Sequence, residues 1–555
     1  MNLKDHSRSV AGWHRLWPVA LPVALSVLVV LMIYSRSVSF DFVSWDDDQN
    51  VTQNPWFLKG EWWRFWHEHF VGMFVPLVYT VWYGVFKLAT PPDPRLFHGL
   101  NVLIHAVNSG LVCWLAYLFI PIDRRSKVST GIATFGAAVL FSLHPLQVES
   151  VAWVTGLRDL LCCLLVLVSA QLSLYPGYRL WREAGAFVVF IMALLCKPSA
   201  AVVPVAFAVI TLADDHRQWR VTLRKYVPWF VVGLIAVIRT KDIQTEVISF
   251  AVPDLPLRSR IIVAMDSYGF YLTKLFWPFD LAVDYGRTPD KLISSSQFLW
   301  PILILVSTIS VIVATARKLH MRDWALLIFA VLALAPTSGL VRFAYQHVST
   351  VADHYMYLPL VAIALLAASL VSRISVRWQL GIIAILGLIW AGLTTRRLAI
   401  WQNDKTLFPS MLESNQDSYG ANIGMLAIAM REQRYQDGLI YLREAERLEP
   451  TNVVTLLDKW LLYVKLGRFQ DVVNDMPGHM LTKEQILANP NSRSTIGGQY
   501  VVLAYALMQV GDYKQSFEVA CLARFAYEEH PDLASFFPYL GQKIGLELPA
   551  EKWCK

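Results

Sequence analysis

Along its first 395 residues the chain alternates apolar runs with short polar stretches. The runs lie near 16–34, 98–120, 130–144, 159–175, 184–197, 200–213, 226–239, 297–316, 323–336, 355–372 and 378–394. Runs of this length and polarity predict membrane-spanning helices. Basic residues then assign sides. Lys4, Arg8 and Arg15 precede the first run and keep the N-terminus cytoplasmic,. Arg124, Arg125 and Lys127, then Arg179 and Arg182, fall on the same side. So do the DDHRQWRVTLRK loop, Arg317, Lys318 and Arg322, and the SRISVR loop, provided 184–197 and 200–213 form a hairpin turning at Lys197-Pro198. The expected fold class is an all-α integral membrane protein with about eleven transmembrane helices. With no small-residue cleavage site, the first run reads as a retained anchor.

Between the runs, EWWRFWHEHF and FVPLVYTVWYGVFKLA mix aromatic, His and Arg residues at helical spacing, a pattern of interface-lying helices,. Residues 35–97 are therefore assigned to a first outer loop and 240–296 to a second, within a membrane domain of residues 1–395. After that the chain turns polar: 396–418 reads as a linker and 419–555 as a tetratricopeptide-like helical repeat domain. Arg434-Tyr435 recurs as Arg468-Phe469, 34 residues later, which is that repeat's period. Gly438 and Ala445 fit its small positions, whereas Trp460 stands where a small residue is usual. The stretch VGDYKQSFEVACLARFAYEEHPD is a third candidate repeat, with a generic helical bundle as the alternative.

Composition narrows the class. The 555 residues are 55% hydrophobic, 13% aromatic and only 16% charged, which excludes an ordinary soluble enzyme,. The net charge of +7 is accounted for by the basic cytoplasmic loops and implies no nucleic-acid partner,. Cys113, Cys162, Cys163 and Cys196 lie in apolar runs while Cys521 and Cys554 are isolated, so neither a metal spacing nor a disulfide framework is visible,.

Against this apolar background, Asp46, Asp47 and Asp48 stand out in FDFVSWDDDQNVTQNP. Adjacent carboxylates raise one another's pKa and invite a cation or a proton donor; a solvated acidic turn is the bland alternative. Three more outward-facing groups join them. LHPLQVESVAWVTGLRDLL carries His144, Glu149, Arg158 and Asp159. The hairpin tip is Cys196-Lys197-Pro198-Ser199. APTSGLVRFAYQHVSTVADHYMYLP carries Arg342, His347, Asp353, His354 and Tyr355. Ionisable residues at membrane depth default to functional hypotheses. Taken singly, Arg158–Asp159 could be a rim ion pair and Lys197 could reach up to headgroups. Together they suit group transfer from a phosphate-linked donor: a carboxylate deprotonates an acceptor hydroxyl while cations neutralise the departing phosphate. Arg239, Lys241, Arg342, Arg396 and Arg397 also lie outside, where an anionic headgroup would explain them.

FVSWDDDQNVTQNP, RLFHGLNVLIHAVNSGL, LFSLHPLQVESVAWVTGLRDLL, CKPSAAVVP, YLTKLFWPFDLAVDY, ADHYMYLP and WQNDKTLF run in order through residues 38–410. In these the chain resembles the multi-spanning C-type-fold glycosyltransferases, and among them the transmembrane–tetratricopeptide O-mannosyltransferase-like proteins and their bacterial relatives. The resemblance implies a polyprenyl-phosphate sugar donor and an acceptor hydroxyl, usually Ser or Thr of a protein recruited by the repeats. It implies a periplasmic active site in a bacterial inner membrane. Asp46 falls where the family's base is expected, Asp47 on its acidic neighbour, and Asp159 on its second acidic site. Arg158, Lys197, Arg342, His354 and Tyr355 would contact donor phosphate, with His144, Glu149 and Asp353 as further candidates. Asp46 and Asp48 would be the ligands of a divalent cation, Mg²⁺ or Mn²⁺, if the enzyme uses one. The chain departs from the family in carrying His354 where bacterial relatives have Arg, and Leu157 where a basic residue is the rule. Two other functions fit the same features: a transferase acting on a lipid-linked or envelope glycan, and a non-catalytic repeat-bearing membrane scaffold.

Overall fold

A computed structural model describes residues 17–120, 126–174, 179–252, 254–450, 452–479, 493–526 and 533–545. The basic residues at 4, 8, 15, 124 and 125 and part of the third candidate repeat lie outside them. Among the described residues the chain is helical, its one bridge being the isolated pair Phe70–Met73. It divides into two compact units, 1–416 and 417–555.

In the first unit every stretch expected to span is helical. Among the described residues six helices are long and apolar enough to cross a membrane: Val19–Ser39, Pro94–Phe119, Val154–Leu174, His216–Thr245, Asp353–Val371 and Val376–Trp401. Two further pairs, Lys127–Leu143 with Pro145–Ala152 and Pro289–Ser295 with Leu299–Ala314, are bent, by 52° and 89°, which makes up to eight. The other three expected spans are shorter: Leu180–Leu194 has 15 residues, Val203–Asp214 has 12 and Met321–Leu334 has 14. At 1.5 Å per residue none of these reaches across about 30 Å of hydrocarbon unaided.

Pro94–Phe119 shows how the bundle is aligned. Asp93 caps it by accepting from Arg95 N–H at 3.0 Å, and Pro94 sits at the first position, where a missing N–H is harmless. Its buried face carries His98, Asn101, His105 and Asn108, spaced three or four apart on one stripe,. Asn101 donates to the Trp153 carbonyl at 2.8 Å and Asn108 to the Leu160 carbonyl at 3.0 Å; His105 Nδ1 lies 2.8 Å from the Tyr357 hydroxyl. Inside a bundle, such bonds fix one helix against another where apolar packing alone would let them slide. This stripe sets the register of the segments that carry the candidate site.

In the stretch read as a linker, 396–418, Ala399–Trp401 and Asp404–Ser414 are helical and Trp401, Leu407, Phe408 and Met411 are buried. Helix Trp219–Ala251 runs past residue 240, where the second outer loop is expected to begin. Within 35–97 the short helices Pro55–Leu58, Trp62–Trp66 and Pro76–Phe86 form an aromatic block in which Phe65 and Tyr79 stack at 4.0 Å.

The second unit is built of paired helices. Gln433, Gly467 and Gly511 each take positive φ, of 59°, 72° and 90°, two residues before the helices starting at Tyr435, Phe469 and Tyr513. The same turn thus recurs three times, 34 residues apart in its first two copies. Gly438 packs against Leu426 and Leu462, and Trp460 is buried with its indole N–H donating to Asp475 at 2.8 Å. Cys521 is disulfide-bonded, a pairing that its isolation in the sequence does not reveal.

Candidate active site

The first wall is the turn 41–54. The Ser44 backbone N–H and hydroxyl donate to the two carboxylate oxygens of Asp404, at 2.7 and 2.9 Å. Asp41 N–H donates to the Gln402 carbonyl at 3.0 Å. Asp47 follows, fully buried, and accepts from Thr155 N–H at 3.0 Å, the Thr155 hydroxyl at 2.7 Å and Val43 N–H at 3.2 Å. Burial pushes its pKa up to about 7, with those three bonds pulling the other way,. Asp47 therefore ties the two loops together.

Asp46 differs from its neighbour. Its backbone is left-handed, φ +74°, a conformation that costs a non-glycine residue about 1 kcal/mol or more. The turn is held there because the Asp46 carbonyl accepts from both Asn50 N–H (2.9 Å) and the Asn50 side-chain amide (3.0 Å). Asn50 is itself fixed by the Tyr79 hydroxyl at 2.6 Å. A π-helical turn, Asp48–Thr52, continues the distortion, as such turns do at functional sites. The Asp46 carboxylate has no hydrogen-bond partner among the described residues and keeps an open surface. The protein around it raises its pKa, Arg158 opposes that rise, and Asp48 adds to it. Asp48 is half-buried and accepts from Gln49 N–H at 2.8 Å.

The second wall starts at Trp153, whose indole N–H donates to the Trp45 carbonyl at 2.7 Å. The turn after it depends on Gly156, where a Cβ would stand 2.2 Å from the Ser150 carbonyl. Arg158 Nε donates to the Thr155 carbonyl at 3.2 Å, its Nη1 lies 2.8 Å from Met73 Sδ, and its guanidinium sits 5.6 Å over the Trp153 ring. Arg158 therefore does not pair with Asp159. Lys197 does, at 2.5 Å, with side chains 21% and 10% exposed. Lys197 is therefore held by Asp159.

The third wall is 353–355, three successive side chains that diverge. Tyr355 presents its ring to the Lys197 ammonium at 5.4 Å. His354 places Nδ1 2.6 Å from Glu149 Oε1. Asp353 turns away, accepting from the Tyr285 hydroxyl at 2.6 Å with Arg397 Nη2 at 3.5 Å. Asp46, Asp48, Arg158, Asp159, Lys197, Glu149, His354 and Tyr355 thus line one region, joined through Trp153, which also contacts the His354 ring at 5.8 Å.

Three expected site residues fall elsewhere. His144 caps the bend after Leu143, with Nδ1 accepting from Leu146 N–H at 3.3 Å and Nε2 3.0 Å from the Leu275 carbonyl. Arg342 lies 3.8 Å from Asp254, and Asp353 serves the Tyr285–Arg397 contact. Thr155, Trp153, Asn50, Tyr79 and Asp404 are site-building residues that reading the sequence did not assign. Trp153 and Thr155 nevertheless stand within the run HPLQVESVAWVTG singled out there.

Among the described residues no three His, Cys, Asp or Glu side chains are gathered to hold a metal ion. Asp46 and Asp48 offer a cation two carboxylates, while both oxygens of Asp47 are engaged by Thr155 and Val43.

The chain is an all-helical membrane protein with a carboxylate-and-cation cluster where the ends of its helices meet. By sequence it is similar to the TMTC protein O-mannosyl-transferases. It is 35% identical over 117 residues to Protein O-mannosyl-transferase Tmtc1 of Drosophila melanogaster, covering 20% of this chain and 12% of that one. Against Protein O-mannosyl-transferase TMTC4 of Homo sapiens it is 28% identical over 173 residues, or 28% and 23% of the two chains. Against Protein O-mannosyl-transferase F38B6.6 of Caenorhabditis elegans it is 27% identical over 331 residues, 57% of this chain and 45% of that one. Each match spans less than half of the relative's length. No family model matches, and no solved structure gives a significant match.

Proposed function

We propose that this chain is a membrane glycosyltransferase moving a sugar from a polyprenyl-phosphate donor to a Ser or Thr hydroxyl of an exported protein. It works on the periplasmic face of a bacterial inner membrane, and the paired helices of the second unit act as tetratricopeptide-type repeats that recruit the acceptor. The observation that carries the reading is Asp46: a strained, otherwise unpartnered carboxylate of raised pKa, facing a cationic cluster. A retired site in a scaffold would have no reason to keep that strain.

In the proposed step the Asp46 carboxylate takes the acceptor hydroxyl proton as the oxygen bonds to the anomeric carbon. The bond from that carbon to the phosphate oxygen breaks, and its electron pair leaves with the phosphate. Lys197 and Arg158 neutralise the charge gained there. Should a divalent ion serve, donor phosphate oxygens would complete the ligand set begun by Asp46 and Asp48. The Cys521 disulfide supports placing the second unit in an oxidising compartment,.

The test uses purified protein in detergent, a polyprenyl-phosphate mannose and a Ser/Thr-rich acceptor peptide. Wild type should transfer mannose and Asp46→Asn should not. Equal transfer by both removes Asp46 from the chemistry. Transfer to a glycan but never to a peptide would favour the lipid-linked or envelope acceptor.

A further inference from the structure

Glu149 is a carboxylate at 2% exposure in the short helix Val148–Ala152, an expensive place for a charge,. Its Oε1 meets His354 Nδ1 at 2.6 Å, and its Oε2 has no hydrogen-bond partner among the described residues. The neighbouring Asp353 already takes the Tyr285 hydroxyl and Arg397, so Glu149 is not needed to balance that arginine by direct contact. The imidazole is restrained on its other sides. Tyr355 stands edge-on at 4.4 Å, Trp153 at 5.8 Å and Tyr345 at 6.5 Å. Trp153 in turn holds the Trp45 carbonyl beside Asp46. With Nδ1 engaged, Nε2 is the nitrogen left open, and it has no hydrogen-bond partner among the described residues. A carboxylate fixing one imidazole nitrogen so that the other performs a task is a recurrent device.

We infer that Glu149 is a positioning residue, which holds His354 so that Nε2 donates a hydrogen bond to the donor phosphate only when the pair carries two protons. The inference rests on the phosphate-donor reading above. Proton counting gives the gate. With one proton shared between Glu149 and Nδ1, Nε2 has only a lone pair and repels a phosphate oxygen. With a second proton, either as carboxylate and imidazolium or as carboxylic acid and the Nε2–H tautomer, Nε2 donates. The phosphate contact is therefore present at low pH and lost as pH rises through the titration of the pair. The charged and titratable groups facing the pair are Arg158 and Asp159 from helix Leu157–Leu174, Lys197 from the 196–198 turn, Arg397 from helix Val376–Leu398, and Asp353, Tyr345 and Tyr355. An arginine at 354 would keep the contact and lose the gate.

The probe is a polyprenyl methyl phosphodiester, whose single charge does not titrate near neutrality, bound to the purified full-length protein in detergent. Affinity is read from tryptophan fluorescence between about pH 5.5 and 8.5, where an imidazole pair titrates. Wild type should bind more tightly at the acid end. His354→Ala should lose about tenfold there, as for one charge-assisted hydrogen bond, together with the pH dependence. Glu149→Gln, whose amide can donate to Nδ1 and leave Nε2–H at every pH, should abolish the pH dependence when His354 is present and change affinity by less than about twofold when it is Ala. His354→Arg should bind tightly at every pH. The inference is overturned by wild-type affinity that is absent or flat with pH, or by a Glu149→Gln effect of equal size in both backgrounds. If the cycle behaves as expected but no sugar is ever transferred, the glycosyltransferase reading fails alone. If Asp46→Asn abolishes transfer while the cycle is additive, only the role of Glu149 fails.

Discussion

Thr155 donates both its backbone N–H and its hydroxyl to the same oxygen of Asp47, at 3.0 and 2.7 Å. One residue of the second wall thereby anchors the acidic run of the first. Because Asp47 is pulled inward to meet it, Asp46 is left on the outside of the turn, in the left-handed conformation. Three adjacent aspartates that look equivalent in the sequence acquire separate tasks from this single contact.

The anchor should be visible in stability. Replacing Thr155 by Val keeps the shape and deletes the hydroxyl, leaving a buried carboxylate short of one partner, a loss of about 1–3 kcal/mol. The pH dependence has a definite sign. The Asp47 pKa rises from 3.8 to about 7 on folding, so the folded state holds the proton more tightly between those values. Its contribution to stability is fully present below about pH 4 and falls away as pH rises towards 7. Denaturant melts of the membrane unit should therefore lose stability across that window, and Asp47→Asn should flatten the slope. A slope unchanged in Asp47→Asn would assign the dependence to another group.

Strain at Asp46 makes a second prediction. Glycine adopts φ +74° freely, so Asp46→Gly should stabilise the protein by up to about 1 kcal/mol while abolishing transfer. Activity and a thermal midpoint measured on the same preparation would show the opposed changes. If Asp46→Gly is less stable than wild type, the left-handed turn is being held by the aspartate itself.

Much of the fold was legible because apolar run length decides whether a helix exists, and every expected stretch is one. What run length cannot give is how far Leu180–Leu194 or Met321–Leu334 extend, since neighbouring turns break them early. The site was legible by region and not by partner. Lys197, Asp159 and His354 were found as costly charges in apolar surroundings, and that logic selects residues without telling which pairs with which. It could not separate His144, used up in capping a bend, from His354, nor could it give weight to Trp153 and Thr155, whose roles come from contacts more than 100 residues away in the chain, at Trp45 and Asp47.

The Lys197–Asp159 pair separates folding from function. Lys197→Ala leaves Asp159 a largely buried, unpaired charge, so it should both destabilise the protein and slow transfer, the latter by about 10²–10³. Adding Asp159→Asn removes the stranded charge, and the double variant should recover stability without recovering transfer. Melting curves and initial rates of the four proteins in the cycle measure both quantities. Transfer restored together with stability would make the pair a structural clamp.

The sharpest division between an enzyme and a scaffold comes from where the chain is cut. Asp404 lies beyond the last long apolar helix, yet its carboxylate accepts from the Ser44 N–H and hydroxyl, and the Gln402 carbonyl accepts from Asp41 N–H. Residues 402–404 therefore belong to the candidate site through the loop that carries Asp46. A truncation after Trp401 removes them, whereas one after Gln416 keeps the whole first unit. If Asp46 is the base, the protein ending at Gln416 should still transfer sugar to a simple peptide and lose only its choice among protein acceptors. The one ending at Trp401 should be inactive, since releasing Ser44 frees the turn and a misplacement of about 1 Å in a reacting group costs on the order of 10²-fold. Asp46→Asn should be inactive in either length. A scaffold predicts the reverse order: both truncations lose function equally, because the second unit is gone from each, and full-length Asp46→Asn behaves as wild type. Transfer assays on these proteins, each first shown to be monodisperse in detergent, distinguish the two outcomes.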